Sequence, residues 1–196
     1  MKKTTKLIFS IALLLIISAN LFSQGIRYHY VIPLKETKIL FDKGHGFSLE
    51  YKKRSSEYSQ LMAGARFGYH SMPALSDTLY SNDLSDLIIY EKNDAFSIFV
   101  TTEFELLPTD FTPFIGLDFG ITYHSVKYYI SENNGAYRKN YEGWEDDYAI
   151  IPRFGFSYEY DINWLISIGV ARNLGTLPYT AYWMPYFSIN YVVEHY

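Results

Sequence analysis

From Gly25 to the C-terminus the chain is written almost entirely in period-2 alternation, and the segments that carry it are joined by connections that are alternately short and long. Alternation of this kind puts successive side chains on opposite faces of a strand. Eight segments read this way: Gly25 to Ile32, Gly44 to Lys53, Tyr58 to His70, Ala95 to Leu107, Phe111 to Val126, Tyr148 to Tyr160, Asn163 to Asn173 and Thr180 to Glu194. "RSSE" joins the second to the third, "PTD" the fourth to the fifth, and "DI" the sixth to the seventh. The remaining connections, Pro33 to Lys43, Ser71 to Asp94, Lys127 to Asp147 and Leu174 to Tyr179, are longer. Eight antiparallel strands then carry every long connection at one end and both termini at the other. A soluble sandwich has no reason for that bias, whereas a membrane barrel has short periplasmic turns and long outer loops. The expected fold is all-β, an eight-stranded antiparallel transmembrane β-barrel.

The two faces of the strands support the same expectation. One face is oily: Leu61, Ala63, Ala65, Phe67 and Tyr69 in the third segment, Phe96, Ile98, Val100, Phe104 and Leu106 in the fourth, and Trp164, Ile166, Ile168 and Val170 in the seventh. Tyr and Trp crowd the ends of these stripes, as the aromatic girdles of a membrane barrel require. Tyr51, Tyr158, Tyr160 and Trp164 would line the inner rim, and Tyr69, Tyr123, Tyr148 and Trp183 the outer rim. A soluble, lipocalin-like barrel with its oily face inward would show a Lys-rich opposite face. Here that face carries Gly64, Gly68, Gly116, Gly120, Gly155 and Gly169, small hydroxyl residues and isolated charges. Such a mixture suits a crowded interior, where small residues make room for a few long ones.

Lys2, Lys3 and Lys6 precede an apolar run from Leu7 to Ile17 and then small and polar residues. This is the order of a secretory signal peptide, and the run is too short to span a bilayer. Residues 1–23 are therefore expected to be removed, leaving 24–196 as one barrel domain. Cleavage would take three of the 17 basic residues and leave 14 against 21 acidic ones, a net charge of −7. That sign disfavours nucleic acid as a partner. The chain has no Cys, so disulfides, thiol nucleophiles and thiolate metal sites are excluded. No cofactor is implied.

The alternating stretch from Gly25 to Tyr196, the aromatic terminus Tyr196 and "FSQ" at Phe22 to Gln24 resemble the outer-membrane β-barrel families of Gram-negative bacteria. The likeness is to small OmpA/OmpX-like or "porin family" barrels of Bacteroidota type. It implies residence in the bacterial outer membrane and contact with its lipid. Tyr196 departs from the pattern: it falls on the opposite parity from Ile189, Tyr191 and Val193, which calls for a bulge near "VVEHY" or a degenerate signal.

The inward face gathers a candidate luminal charge network of Arg27, Glu50, Lys52, Arg66, Glu103, Glu105, Asp118, Arg153, Glu159 and Glu194. Buried ions must pair or keep water, so an ion-pair ladder closing the lumen is expected, with Asp118 paired to Arg66 or Arg153 on neighbouring strands. A narrow ion channel is the alternative use of the same residues. The other alternative is a lipid-modifying hydrolase of lipid-A deacylase type, for which His124 would act with Ser157 or Glu159 across strands. The simplest arrangement is missing, because His124 and Ser125 are adjacent and so on opposite faces, as are His70 and Ser71. The five His residues show no metal-ligand spacing. In the third long connection, Asn134 and Gly135 signal a hairpin that continues the strands past the membrane. Its Tyr128, Tyr137, Tyr141 and Trp144, with Glu142, Glu145, Asp146 and Asp147, make a candidate surface for a glycan or an envelope protein partner. "LSDLII" in the second long connection reads as a short helix or a lid. The preferred role is non-enzymatic, structural or interaction-based, through the outer loops.

Overall fold

The computed structural model describes residues 24–34, 37–54, 60–75, 79–80, 87–107, 109–132, 137–161, 164–175 and 180–191, with side chains left out for 24, 79–80, 87–90, 126–132, 137–142 and 161. The described elements are β1 (Gln24–Pro33), one helical turn α1 (Thr37–Leu40), β2 (Gly44–Arg54), β3 (Leu61–Pro73), the two-residue β4 (Leu79–Tyr80), β5 (Leu87–Glu105), β6 (Phe111–Glu132), β7 (Tyr137–Asp161), β8 (Trp164–Leu174) and β9 (Ala181–Tyr191). Antiparallel pairing runs β3-β2-β1-β9-β8-β7-β6-β5-β4, and β3 also pairs with β5. Eight strands therefore close into a barrel, with β4 appended to the start of β5. Closure leaves the barrel without the open edge that an unclosed sheet presents.

Each of the eight expected segments holds a strand among its described residues. Burial alternates along them, as in β2, where Gly44, Gly46, Ser48, Glu50 and Lys52 are buried between exposed or half-exposed neighbours. The polarity is inside out: the exposed face carries Ile26, Phe47, Leu49, Phe96, Val100, Leu117, Phe119, Phe154 and Ile168, while charged and hydroxyl side chains fill the interior. Aromatic residues meet at the ends of the oily band, as with Trp164 against Tyr191 at 5.2 Å and Tyr69 against Phe96 at 5.4 Å.

Two of the long connections are largely strand, the third in line with its expected continuation of the strands and the second against its local reading. The third is mostly ladder: β6 and β7 stay in register from Phe111↔Tyr158 out to Glu132↔Tyr137. The hairpin signal of Asn134 and Gly135 falls on residues outside those described. In the second, Leu87, Ile88 and Ile89 open β5 in place of the helix or lid read from "LSDLII", and residues 84–86 lie outside the described set. Pairing with β6 at Leu87↔Ser131 and Ile88↔Ile130 overrides the local pattern. The helical turn sits instead in the first long connection. Its Thr37 carbonyl accepts from the Phe41 amide at 2.9 Å, and Phe41 is buried with Val31 and Met72 at the long-loop end of the interior.

Candidate functional site in the barrel interior

The interior charges join in one chain of alternating sign. Arg27 on β1 meets Glu50 on β2, Nη2 to Oε1, at 2.5 Å. Lys52, two residues along the same face of β2, lies 3.8 Å from Glu50 and donates to Glu103 of β5 at 2.8 Å. Arg153 on β7 donates to the same Glu103 oxygen at 2.9 Å and turns its Nε to Asp118 Oδ1 at 2.8 Å. Arg66 on β3 closes on Asp118 Oδ2 at 2.6 Å. Four cations and three carboxylates from six strands thus lie in sequence, all but removed from solvent. Each carboxylate is shared by two cations, the arrangement that makes burial of ions tolerable.

Neutral groups complete the shell. Arg153 also donates to the Thr101 hydroxyl at 3.1 Å and the Thr102 carbonyl at 3.2 Å. Arg27 lies 3.8 Å above the Tyr186 ring and Arg66 4.8 Å from that of Phe99, so flat rings cover the faces of both guanidiniums. Gly116 pairs with Arg153, and a Cβ there would stand 2.9 Å from both Arg153 Nη2 and the Thr102 carbonyl. The glycine is the space the arginine occupies.

The candidate charges are not all equivalent. Glu105 pairs with Arg54 through both carboxylate oxygens at 3.1 and 3.0 Å, and Glu159 approaches the same arginine only to 4.0 Å. Arg54, Glu105 and Glu159 lie at the short-turn end and keep contact with solvent. Glu194 is outside the described residues. Asp118 takes both candidate partners at once, but Arg66 is not on a neighbouring strand: β5 lies between β3 and β6, and the long arginine reaches across it.

Arg54 and Asp147 were not counted among the interior charges in the sequence reading although parity marks both. Arg54 shares the face of Glu50 and Lys52, and Asp147 that of Ala149, Ile151 and Arg153. Asp147 is buried in the interior, a correction to its reading as part of an acidic loop surface; Glu145, Asp146 and Trp144 are exposed. The backbones of Tyr128 and Tyr141 face each other across the β6–β7 ladder and Tyr137 opposes Glu132, while the side chains of all three tyrosines lie outside the described set.

Toward the long-loop end three buried imidazoles stand in a row, His29 to His70 at 6.0 Å and His70 to His124 at 6.3 Å between ring centroids. His124 Nδ1 is 3.1 Å from Asn93 Oδ1, and Tyr182 packs edge-on to His70 at 5.0 Å. Register separates the residues that the hydrolase alternative would join. His124 stands opposite Glu145 and Ser157 opposite Thr112, twelve positions apart along β6. At strand rise that is roughly 40 Å, far beyond hydrogen-bond reach. Ser157 is engaged with Ser167 at 2.9 Å.

No known protein family matches the chain, and no curated protein matches it in sequence. Solved structures do match it in fold. Neisserial surface protein A superposes with a TM-score of 0.54 over 88% of this chain and 96% of its own, at 11% identity. The outer membrane protein OprG of Pseudomonas aeruginosa gives 0.53 over 88% and 97%, at 12% identity. Ail, the attachment invasion locus protein of Yersinia pestis, gives 0.50 over 87% and 95%, at 12% identity, in a complex with the heparin analogue sucrose octasulfate. This chain has the fold of the small eight-stranded outer-membrane barrels. Similarity at these identities speaks for the barrel and for nothing finer.

Proposed function

We propose that the chain is an exported outer-membrane protein whose interior is closed by its ion-pair chain and which acts, without chemistry of its own, through the surface at its long-loop end. One observation carries the reading: a closed barrel with aliphatic and aromatic side chains exposed all round and ions buried inside. Water-soluble monomers rarely expose a contiguous apolar patch beyond a few hundred Å², and a band around a whole barrel far exceeds that. The signal-like residues 1–23 and the aromatic girdles support export and insertion, and the resemblance to Bacteroidota-type barrels fits the same compartment.

The closed interior follows from packing and charge. An eight-stranded barrel has an interior that side chains just fill, and here the long ones are held by opposite charges. The β6–β7 ladder lifts its tip beyond the band, and the exposed Trp144, Glu145 and Asp146 stand on that arm as a surface for an envelope protein or a glycan.

Folding the mature chain into lipid vesicles tests the membrane reading: a barrel that inserts should resist protease there and migrate faster on a gel before heating than after. A chain that stays water-soluble and monomeric would end it. Planar-bilayer recording tests closure, with no unitary conductance expected; steady single-channel openings would favour the narrow channel. Capture of one defined envelope protein or glycan by the wild type, lost with Trp144→Ala, supports the loop role.

A further inference from the structure

The outer arm has one covered edge and one free edge. Its sheet runs β4-β5-β6-β7. Beside β5, β3 pairs as far out as Pro73↔Lys92, and β4 adds Leu79↔Ile88 and Tyr80↔Leu87. Beside β7, β8 pairs no further out than Arg153↔Ala171, and the β8–β9 ladder closes at Leu174↔Ala181. Gly175, just past it, lies at the level of Asp147, whose carboxylate a Cβ there would strike. From Asp146 out to Tyr137, β7 is paired to β6 alone among the described residues. That is about 33 Å of strand edge at ordinary rise.

Every second N–H points to this edge. The Glu159 amide donates to the Asp110 carbonyl at 2.8 Å, on the β6 side, and the β6–β7 register continues outward from Phe111↔Tyr158 without a shift. Odd-numbered residues of β7 therefore bond to β6, and even-numbered ones, Trp144 and Asp146 included, turn N–H and C=O to the free edge. Gly143, Trp144, Glu145 and Asp146 are all exposed, so both faces of the strand stand clear of the barrel there. A long unpaired edge without proline is a template for another strand.

The charges along this edge are self-complementary. Arg138 and Lys139 lie toward its outer end, Glu145 and Asp146 at its inner end. Two such edges paired antiparallel about a two-fold axis at Glu142 set position 138 opposite 146 and 139 opposite 145, twice each by symmetry, with opposing residues on one face. Even residues meet even ones, as hydrogen-bonded antiparallel pairs require. Four opposite-charge pairs then stand against one like pair, Glu142 with itself on the axis. Moving the axis to Tyr141 opposes no charges. Moving it to Gly143 leaves only Lys139 against Asp147, which is buried in the barrel.

From this we infer that the free β7 edge of the outer arm pairs with the same edge of a second copy of this chain, Arg138 to Asp146 running antiparallel to its counterpart. The axis is normal to the sheet, so it reverses the barrel direction. The two copies therefore sit in facing membranes, with about 40 Å of strand between their Tyr148 positions. The inference rests on the membrane reading above and names the protein partner of its loop-end surface. Charge selects the occupant: an unrelated strand carries the complementary order only by chance, whereas a second copy carries it by symmetry.

The test uses the mature chain folded in detergent and in lipid vesicles. Sedimentation measures self-association in detergent, and light scattering the clustering of vesicles. The wild type should dimerise, and its vesicles should cluster. Arg138→Glu with Lys139→Glu makes the edge wholly acidic, and Glu145→Lys with Asp146→Arg makes it basic apart from Glu142. Each doubly substituted chain alone should dimerise at least tenfold more weakly. An equimolar mixture of the two should recover wild-type affinity, because all four pairs are again opposite. Trp144→Pro should weaken pairing at least tenfold more than Trp144→Ala, since both lose the ring and only the proline loses an edge N–H. Dimerisation should slow hydrogen exchange at the amides of 140, 142, 144 and 146 and leave 141, 143 and 145, already bonded to β6, unchanged. A monomeric wild type, or a mixture that pairs no better than its components, would overturn the assignment. So would slowed exchange that ignores the odd-even alternation. Dimers in detergent without vesicle clustering would overturn the facing-membrane arrangement. Heat-dependent gel mobility reports whether each variant is folded, and the mixture keeps the test available if Trp144→Pro misfolds. A chain that stays water-soluble counts against the membrane reading; an inserted barrel that stays monomeric counts against the edge pairing alone.

Discussion

Asp118 sits between two arginines with each of its oxygens engaged, at 2.8 Å to Arg153 and 2.6 Å to Arg66. Removing its charge leaves two buried guanidiniums facing a neutral amide, so Asp118→Asn should destabilise the barrel by about 3–5 kcal/mol, the cost of breaking a buried pair from one side. Urea titration of the barrel in vesicles measures it. Arg54, bonded to Glu105 at the solvent-contacting end, offers the contrast: Arg54→Met should cost no more than about 1 kcal/mol in the same titration. Gly116 carries a third prediction. A side chain there collides with Arg153 and with the Thr102 carbonyl, so Gly116→Val should displace the arginine from Glu103 and Asp118 and lower stability about as much as Asp118→Asn does.

At the scale of elements, the strands were legible because alternation is a strong local signal that a closed barrel keeps on every stave. Strand length was less so. β5 begins at Leu87, where "LSDLII" reads locally as helix, because pairing with the extended β6 decides the conformation. The β7–β8 ladder ends at Arg153↔Ala171, beside Pro152, which keeps its partner Leu117 on β6; a proline in a strand signals such a stop, but which neighbour loses its partner depends on which way the missing N–H points. The raised β6–β7 arm predicts that Trp144→Ala leaves urea stability unchanged within about 0.5 kcal/mol, as for an exposed site, while weakening whatever the arm captures.

For the whole molecule, inside-out polarity makes one substitution decisive. Phe119 faces outward between Leu117 and Ile121 and is 56% exposed. Phe119→Arg should cost about 2–4 kcal/mol if that face meets hydrocarbon, and far less if it meets water. Unfolding of the variant in vesicles reads the difference directly. At this scale the ion chain also predicts electrical silence: four cations and three carboxylates packed across the interior should leave no continuous water column, and planar-bilayer current should stay at baseline in both wild type and Arg54→Met.

Local pattern alone determined the barrel: eight alternating segments, their unequal connections and an oily face ringed by aromatics are properties of neighbouring residues, so they can be read without the fold. The same parity placed Asp118 inside and named its two possible partners. Only the tertiary structure decided that both partners bind it, that Arg66 reaches it across β5, that His124 and Ser157 are far apart, and that β7 and β8 separate beyond Arg153. Those outcomes depend on stagger between strands distant in sequence. Stagger is set by closure of the whole sheet, and no single segment carries it.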